Sequence, residues 1–150
     1  MGEEKSNYLS LVQFPNSFIE PFVITSPETP QYNCVAWALG DIENWWEADE
    51  DYLWLDTIEF DNNLSTMQSL FKHFGFEPID KPNLNNGLEK VALFSDDGIY
   101  CTHVARQLST KIWTSKLGIS HDVTHTLMAL EKGIYGDVVM ILQKSNEKAL

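Results

Sequence analysis

The feature that most constrains the fold of this chain is a short run of small and apolar residues between an asparagine and a glycine. Residues 34–39 read CVAWAL, with Asn33 before them and Gly40 after them. Alanine favours helix, asparagine is a good N-cap, and glycine suits the left-handed conformation that follows a last helical turn. The run therefore predicts a short buried helix that begins at Cys34.

The rest of the chain adds a second helix and then a sheet. Ser65 is expected to cap an amphipathic helix that Gly75 closes, because apolar residues recur between them at helical spacing. Apolar runs between turn residues predict strands at 90–94, 99–108, 111–115 and 136–142, and residues 120–130 are expected to form a short helix. A helix-rich half followed by an antiparallel sheet is an α+β plan.

The domain organisation follows from where this patterning begins and ends. Residues 1–30 contain four prolines and little periodicity, which predicts an extended arm that wraps the domain. Residues 31–142 form the expected α+β domain, and residues 143–150 a polar tail. A chain of 150 residues is long enough for one such domain with its own core.

The charge of the chain restricts its partners. The formal net charge is −12, from 22 acidic and 10 basic residues. A surface this acidic repels phosphate backbones, so we expect no nucleic-acid partner. The expected partners are a peptide or protein substrate, or a basic protein.

Compartment signals are missing from the chain. No apolar run is long enough to span a bilayer, and the N-terminus lacks the features of a secretory signal. Two cysteines cannot form a disulfide framework. We therefore expect a cytoplasmic protein with reduced thiols and no membrane partner.

Cys34 and His103 are the residues whose positions best suit chemistry. A helix N-terminus presents free N–H groups and a partial positive charge, which favour a thiolate and lower the pKa of a cysteine. The same N–H groups can receive an oxyanion during attack on a carbonyl. His103 lies within a predicted strand, where a rigidly aimed imidazole would supply the base. The plainer interpretation is that Cys34 is a small buried hydrophobic residue and His103 a hydrogen-bonded core residue.

Cys101 lies two residues before His103, so strand alternation predicts that both side chains face the same way. If His103 points at Cys34, Cys101 is close too. That would permit a disulfide between the two cysteines under oxidation, or a metal site of Cys34, Cys101 and His103 with His121 or Asp122 as the fourth ligand. No Cys-x-x-Cys or His-x-x-x-His pair supports a metal. We therefore expect neither a metal nor another cofactor.

Two further residues are candidates for substrate binding. Gln107 shares the predicted strand face of His103 by alternation, and Trp37 lies in the helix that begins at Cys34. Trp37 could line a cleft, although a packed tryptophan commonly belongs to a core, and an exposed polar edge explains Gln107 equally well.

Two stretches carry a resemblance to a known family. YNCVAWA at residues 32–38 and THVAR at residues 102–106 resemble the core of papain-like cysteine peptidase domains of the NlpC/P60 and CHAP types. The same stretches, together with WTSKLG at residues 113–118, more narrowly resemble an uncharacterised bacterial family over residues 31–142. The broader resemblance implies a Cys-bearing N-terminal helix packed on a small antiparallel sheet.

The peptidase resemblance also implies an activity: thiol-dependent hydrolysis or acyl transfer at an amide or peptide-type bond through a Cys34–His103 dyad. In such domains a third polar residue on the next strand orients the imidazole. Ser115 falls near that position, with His121, Asp122 and His125 as rivals. Serine departs from the usual choice of His, Asn, Asp or Glu, so the alternative is a catalytically inactive scaffold that binds proteins.

Overall fold

The fold is an α+β arrangement built on one antiparallel sheet of seven strands. The computed structural model describes residues 13–18, 20, 22–80, 87–109 and 111–144. The strands are β1 Val23–Ser26, β2 Phe76–Pro78, β3 Lys90–Ser95, β4 His103–Gln107, β5 Trp113–Lys116, β6 Asp122–His125 and β7 Asp137–Lys144. Their order across the sheet is β1-β6-β5-β4-β3-β7-β2, and every neighbouring pair is antiparallel.

The helices are short and pack on this sheet. They are a 3-10 helix at Pro15–Phe18, α1 at Cys34–Leu39, α2 at Leu64–His73 and α3 at Leu127–Leu130. Helix α1 begins and ends as predicted. Asn33 Oδ1 accepts the N–H of Ala36 at 3.1 Å, and Gly40 adopts the left-handed conformation with φ of 85°. The local prediction is confirmed because both end signals lie within the helix's own sequence.

The predicted cap of α2 is wrong. The helix begins at Leu64, one residue before Ser65, and its N-cap Asn63 makes no side-chain capping bond. The Thr66 hydroxyl instead donates a hydrogen bond to Asp61, which lies before the helix. This bond and the burial of Met67 and Phe71 hold the first turns of α2 in place.

Strand β4 is shorter than predicted because a turn occupies its expected beginning. The carboxylate of Asp97 accepts the N–H groups of Ile99 and Tyr100 at 2.8 and 3.0 Å. This turn bends the chain, so residues 99–102 stay outside the strand and pairing with β3 begins at His103. β3, by contrast, contains the strand predicted at 90–94, and β7 begins one residue after the predicted start at Gly136 and continues to Lys144.

The helix predicted at 120–130 is wrong in its first half. Residues 122–125 form β6, which pairs with β1 on one side and β5 on the other, and only Leu127–Leu130 is helical. Val123 and Thr124 are β-branched and suit a strand. Two neighbouring strands therefore decide the conformation of a segment whose apolar spacing also suits a helix.

The core divides into two clusters, one on each face of the sheet. Along β3, Val91 and Leu93 belong to the first cluster, whereas Ala92 and Phe94 belong to the second. Helices α1 and α2 cover the first face. The 3-10 helix and α3 pack together over the second face, with Phe14 as a shared anchor.

The predicted arm and tail both contribute to the sheet. Residues 23–26 form β1 and Phe22 is buried in the second cluster, while Gln143 and Lys144 complete β7. Residues 1–12 of the predicted arm and 145–150 of the predicted tail lie outside the described residues. In the described part of the chain, no helix is long and apolar enough to cross a membrane.

Candidate functional site

A pocket opens at the end of the sheet where β3 stops and β4 begins. Its volume is about 220 Å³, and Cys34, Cys101 and His103 all line it. Its apolar walls include Trp46, Trp54 and Met67, and Asp61, Asn62 and Thr102 add polar groups. The helix that carries Cys34 and the strand that begins at His103 therefore meet at one cavity.

The Cys34 thiol lies at the first residue of α1, against the backbone of β4. Burial raises the pKa of Cys34 above its ordinary value. The backbone groups of Val104 and Val35 and the positive charge of Lys116 lower this pKa, but less than burial raises it. Cys34 is therefore a protonated thiol at neutral pH in the resting protein.

His103 is held between aromatic rings. Its imidazole stacks on the ring of Tyr135 with centroids 4.1 Å apart and planes within 3°, and it contacts the edge of Phe94. Only 1% of the residue is exposed, and Nε2 has no hydrogen-bond partner among the residues that the structure describes. Burial, and secondarily the neighbouring His125, hold the pKa of His103 well below 6.5. The imidazole is therefore neutral at physiological pH.

The thiol and the imidazole approach the pocket from different faces of the sheet. Cys34 packs against the first cluster, whereas the ring of His103 contacts Phe94 and Tyr135 beside the second. Among the described residues no hydrogen bond joins Cys34 to His103. Cys34 adds to the effect of burial in raising the pKa of Tyr135, the residue stacked on His103.

Cys101 does not share the orientation of His103, contrary to the alternation argument. β4 begins only at His103, and Cys101 packs against the first cluster with Cys34. Burial raises the pKa of Cys101 to about 12, with a smaller contribution from Cys34. Strand alternation fails here because Cys101 lies in the turn before the strand.

Ser115, the expected third residue, bonds a different histidine. Its Oγ lies 2.7 Å from Nε2 of His125, and Nδ1 of His125 lies 2.7 Å from the carbonyl oxygen of Thr126. A carbonyl can only accept, so Nδ1 carries the proton and the Ser115 hydroxyl donates to Nε2. Burial lowers the pKa of His125 to about 4. Ser115 thus orients His125 rather than His103.

The rival third residues are also engaged elsewhere. Nδ1 of His121 lies 2.9 Å from the carbonyl oxygen of Ser26, and Asp122 accepts the hydroxyl of Tyr32 at 2.8 Å. No group of three His, Cys, Asp or Glu side chains in the described ranges is placed to hold a metal ion. The arrangement near Cys34 therefore has acid–base and nucleophilic groups, but within the described part of the chain no third residue bonds Nε2 of His103.

The two expected substrate-binding residues lie away from the pocket. Trp37 donates its Nε1–H to Thr114 Oγ1 at 2.9 Å and stacks on Tyr32 with centroids 5.5 Å apart. Gln107 lies at the far end of β4 from His103. Neither is among the described residues that line the cavity. Trp37 instead attaches α1 to the sheet.

Tyr135 is the residue of this site that sequence patterning missed. It lies between two glycines at which a side chain would collide with backbone. A methyl group added at Gly133 would lie 2.5 Å from the backbone oxygen of Gln13. One added at Gly136 would lie 2.2 Å from the backbone oxygen of Ser95. Paired glycines mark close approach of chain segments, which is the signal that could have identified this position.

Comparison with known proteins gives a family without an activity. Residues 23–143 match the family described as Domain of unknown function (DUF7689). The chain belongs to this family. The match begins at β1 and ends in β7, so it covers all seven strands of the sheet. No curated protein and no solved structure matches the chain.

Proposed function

We propose that this protein is a thiol-dependent hydrolase or acyltransferase for an amide or peptide-type bond, with Cys34 as nucleophile and His103 as base. The observation that carries the proposal is that both residues line one cavity, with backbone groups of β4 against the Cys34 side chain. The proposal includes a papain-like assignment of the fold, since a Cys-bearing helix packs on an antiparallel sheet.

The proposed reaction has two stages. Sγ of Cys34 attacks the carbonyl carbon while His103 takes the thiol proton, and the oxyanion is held by backbone N–H groups near the start of α1. The C–N bond then breaks, the imidazolium protonates the leaving amine, and a thioester remains on Cys34. Water or a second amine attacks the thioester, which releases the acid or the new amide and restores the thiol.

The electrostatics favour a neutral resting pair over a thiolate–imidazolium pair. Burial disfavours both charged forms, because it raises the pKa of Cys34 and lowers that of His103. His103 would therefore act as a general base during attack rather than hold a preformed thiolate. Catalytic hydrogen bonds commonly tighten only when substrate is bound. The proposal requires the imidazole of His103 to turn from Tyr135 toward Cys34, so that its unpartnered Nε2 receives the proton.

The test is acylation of Cys34 by p-nitrophenyl acetate, with the modified residue located by mass spectrometry. Replacing His103→Gln, which keeps most of the side-chain volume, is expected to slow acylation roughly a hundredfold or more if His103 is the base. Cys101→Ser is the matched control, because Cys101 lines the same cavity without a role in the proposed reaction, and the rate at Cys34 is expected to stay unchanged. Equal acylation rates in the wild type and the His103 variant would contradict the proposed Cys34–His103 dyad.

A second candidate function is a papain-like scaffold that binds proteins without chemistry. The observation that favours it is the bond between Ser115 and His125, which leaves His103 without an orienting residue on the next strand. The acidic surface would suit a basic partner. In the acylation test, this function predicts slow labelling of Cys34 that does not depend on His103. The cytoplasmic location stays a prediction under either function.

A further inference from the structure

The cavity at Cys34 has apolar inner walls and polar residues at its entrance. Trp46, Met67 and Val104 line it and are buried, whereas Glu47 and Asn62 line it and are exposed. Binding sites for small groups are commonly apolar inside, with a few polar groups that fix orientation. This arrangement suits an apolar group that enters the cavity while the polar chain attached to it stays at the entrance.

The two tryptophans of the cavity present carbon rather than their polar N–H groups. Nε1–H of Trp46 donates to Oδ2 of Asp41 at 3.0 Å, and Nε1–H of Trp54 donates to the carbonyl oxygen of Glu59 at 2.8 Å. Neither Asp41 nor Glu59 lines the cavity. Because both indole N–H groups are bonded elsewhere, the rings offer the cavity apolar surface.

Four polar side chains that line the cavity are bonded to other parts of the protein. The hydrogen bonds run from Trp46 N–H to Asn33 Oδ1 at 3.1 Å, from Trp45 Nε1–H to Glu47 Oε1 at 2.7 Å, from Asn63 N–H to Asp61 Oδ1 at 3.0 Å, and from the Thr102 hydroxyl to the Tyr135 carbonyl oxygen. No lysine or arginine is among the described residues that line the cavity. The cavity therefore holds no cation for an acidic side chain, and both of its carboxylates already accept a hydrogen bond.

The size of the cavity limits its occupant to one side chain. Its volume is about 220 Å³. An apolar cavity of about 150 Å³ in a protein core holds one benzene molecule. The space at Cys34 therefore accepts one aromatic ring or one branched aliphatic side chain, and a longer peptide segment would not fit inside it.

We propose that this cavity binds the apolar side chain, of leucine or phenylalanine size, of the residue whose carbonyl Cys34 attacks. The substrate class is then a peptide or amide with a large apolar residue on the acyl side of the bond that breaks. The side chain and the carbonyl of one residue are joined through a single Cα atom, so a cavity that contains the thiol receives the side chain of the acylated residue. The attack on the carbonyl rests on the proposed function, whereas the fit of an apolar group rests on the walls of the cavity alone.

The experiment measures equilibrium binding to the full chain carrying Cys34→Ala. The ligands are the N-acetyl amides of glycine, leucine, phenylalanine, lysine and glutamate, and the readout is the NMR signal of each indole N–H. The leucine and phenylalanine amides are expected to shift the signals of Trp46 and Trp54, and to bind roughly tenfold to a hundredfold more tightly than the glycine amide. Trp37, which does not line the cavity, is the internal reference, and its signal is expected to stay in place.

A matched pair of variants changes the space inside the cavity at one position. Ala48 lines the cavity and is half-buried, so Ala48→Leu fills part of the space while Ala48→Ser keeps the side chain small. Ala48→Leu is expected to weaken binding of the phenylalanine amide roughly tenfold or more, because the added side chain takes the place of the ring. Ala48→Ser is expected to alter that affinity less than about twofold. An unchanged Trp37 signal shows that each variant is folded.

Equal affinity for the glycine and phenylalanine amides, tighter binding of the lysine amide, or equal affinities of the two Ala48 variants would each overturn the proposal. Acylation of wild-type Cys34 by p-nitrophenyl esters is the second measurement. Equal acylation rates with the acetylglycine and acetylleucine esters would retain the proposed function and overturn only the apolar site. Binding of the apolar amides without acylation by any ester would support the apolar site and contradict only the proposed function.

Discussion

The two faces of the sheet differ in how their buried polar groups are held. On the first face, side-chain hydrogen bonds tie the α1 region down: Asn33 to Trp46, Trp37 to Thr114 and Tyr32 to Asp122. On the second face, the imidazoles of His103 and His125 are buried among aromatic rings and kept neutral.

The comparison shows that different interactions stabilise the two faces. On the first face, side-chain hydrogen bonds fix the helix that carries the Cys34 thiol. On the second face, burial and close backbone contact fix the His103 imidazole. Cys34 and His103 both line the cavity at the beginning of β4. A substitution that removes hydrogen bonds on the first face, or close packing on the second, should therefore destabilise that face and leave the other intact.

The largest expected effect is on the second face, at Gly136. A methyl group there would lie 2.2 Å from the Ser95 carbonyl oxygen, and φ of 79° is unfavourable for alanine. Gly136→Ala is expected to lower the free energy of unfolding by roughly 3 to 5 kcal/mol, measured by urea denaturation. Gly98→Ala is the control: its φ is also 79° but nothing lies near the added methyl, so about 1 kcal/mol is expected. Similar losses at the two positions would argue against the close contact.

On the first face, Asn33→Ala is expected to lower the free energy of unfolding by about 2 to 3 kcal/mol. The side chain of Asn33 caps α1 and makes two bonds to the backbone of Trp46, at 2.7 and 3.1 Å. Asn63→Ala at the start of α2 is the matched control, and about 0.5 kcal/mol or less is expected because its side chain makes no capping bond. A loss at Asn33 no larger than that at Asn63 would contradict the described anchoring.

The pH dependence of stability tests burial of the imidazoles. The folded pKa of His125 is lowered from 6.5 to about 4, so the unfolded chain binds more protons between these values. The contribution of His125 to folding is present above about pH 6.5 and is lost as pH falls, by about 2 kcal/mol at roughly pH 5. His103 changes stability in the same direction.

Urea denaturation at about pH 7 and about pH 5 measures this loss. His125→Gln should remove the part due to His125, because glutamine does not titrate. His73→Gln replaces an exposed histidine and should leave the pH dependence as in the wild type. Stability that is unchanged over this range would mean that the imidazoles are not buried as described.

The smallest expected effect is at Trp37, where a substitution tests whether the residue only attaches α1 to the sheet or also contributes to the reaction. Trp37→Phe removes the bond from Nε1 to Thr114 and is expected to cost about 1 kcal/mol of unfolding free energy. The acylation rate of Cys34 should not change, because Trp37 does not line the cavity. A lower acylation rate at unchanged stability would instead support the prediction that Trp37 binds substrate.

Much of the secondary structure was predictable where its signals are local. Helix α1 has its N-cap and its terminal glycine within eight residues, and β3 is an apolar run between turn residues. β6 was not predictable in this way, because Val123 and the apolar residues after it fit helical spacing as well. Its strand conformation comes from pairing with β1, which lies about 100 residues earlier in the chain.

The candidate site was likewise predictable only in part. Spacing along the chain does not join Cys34 to His103, and only the resemblance of their motifs to papain-like domains implied that they act together; both line one cavity. The partner of Ser115 was not predictable, because hydrogen bonding across β5 and β6 depends on register. Tyr135 was missed for a similar reason, since its stacking on His103 follows from how β7 enters the sheet.

The sequence by itself determined the α+β class, the position and caps of α1, and the acidity of residues 41–61, because each depends on neighbours along the chain. The tertiary structure alone decided which face each side chain occupies, which histidine Ser115 bonds, and that burial keeps both Cys34 and His103 uncharged. These properties depend on strand register and desolvation, which arise only when distant segments pack together.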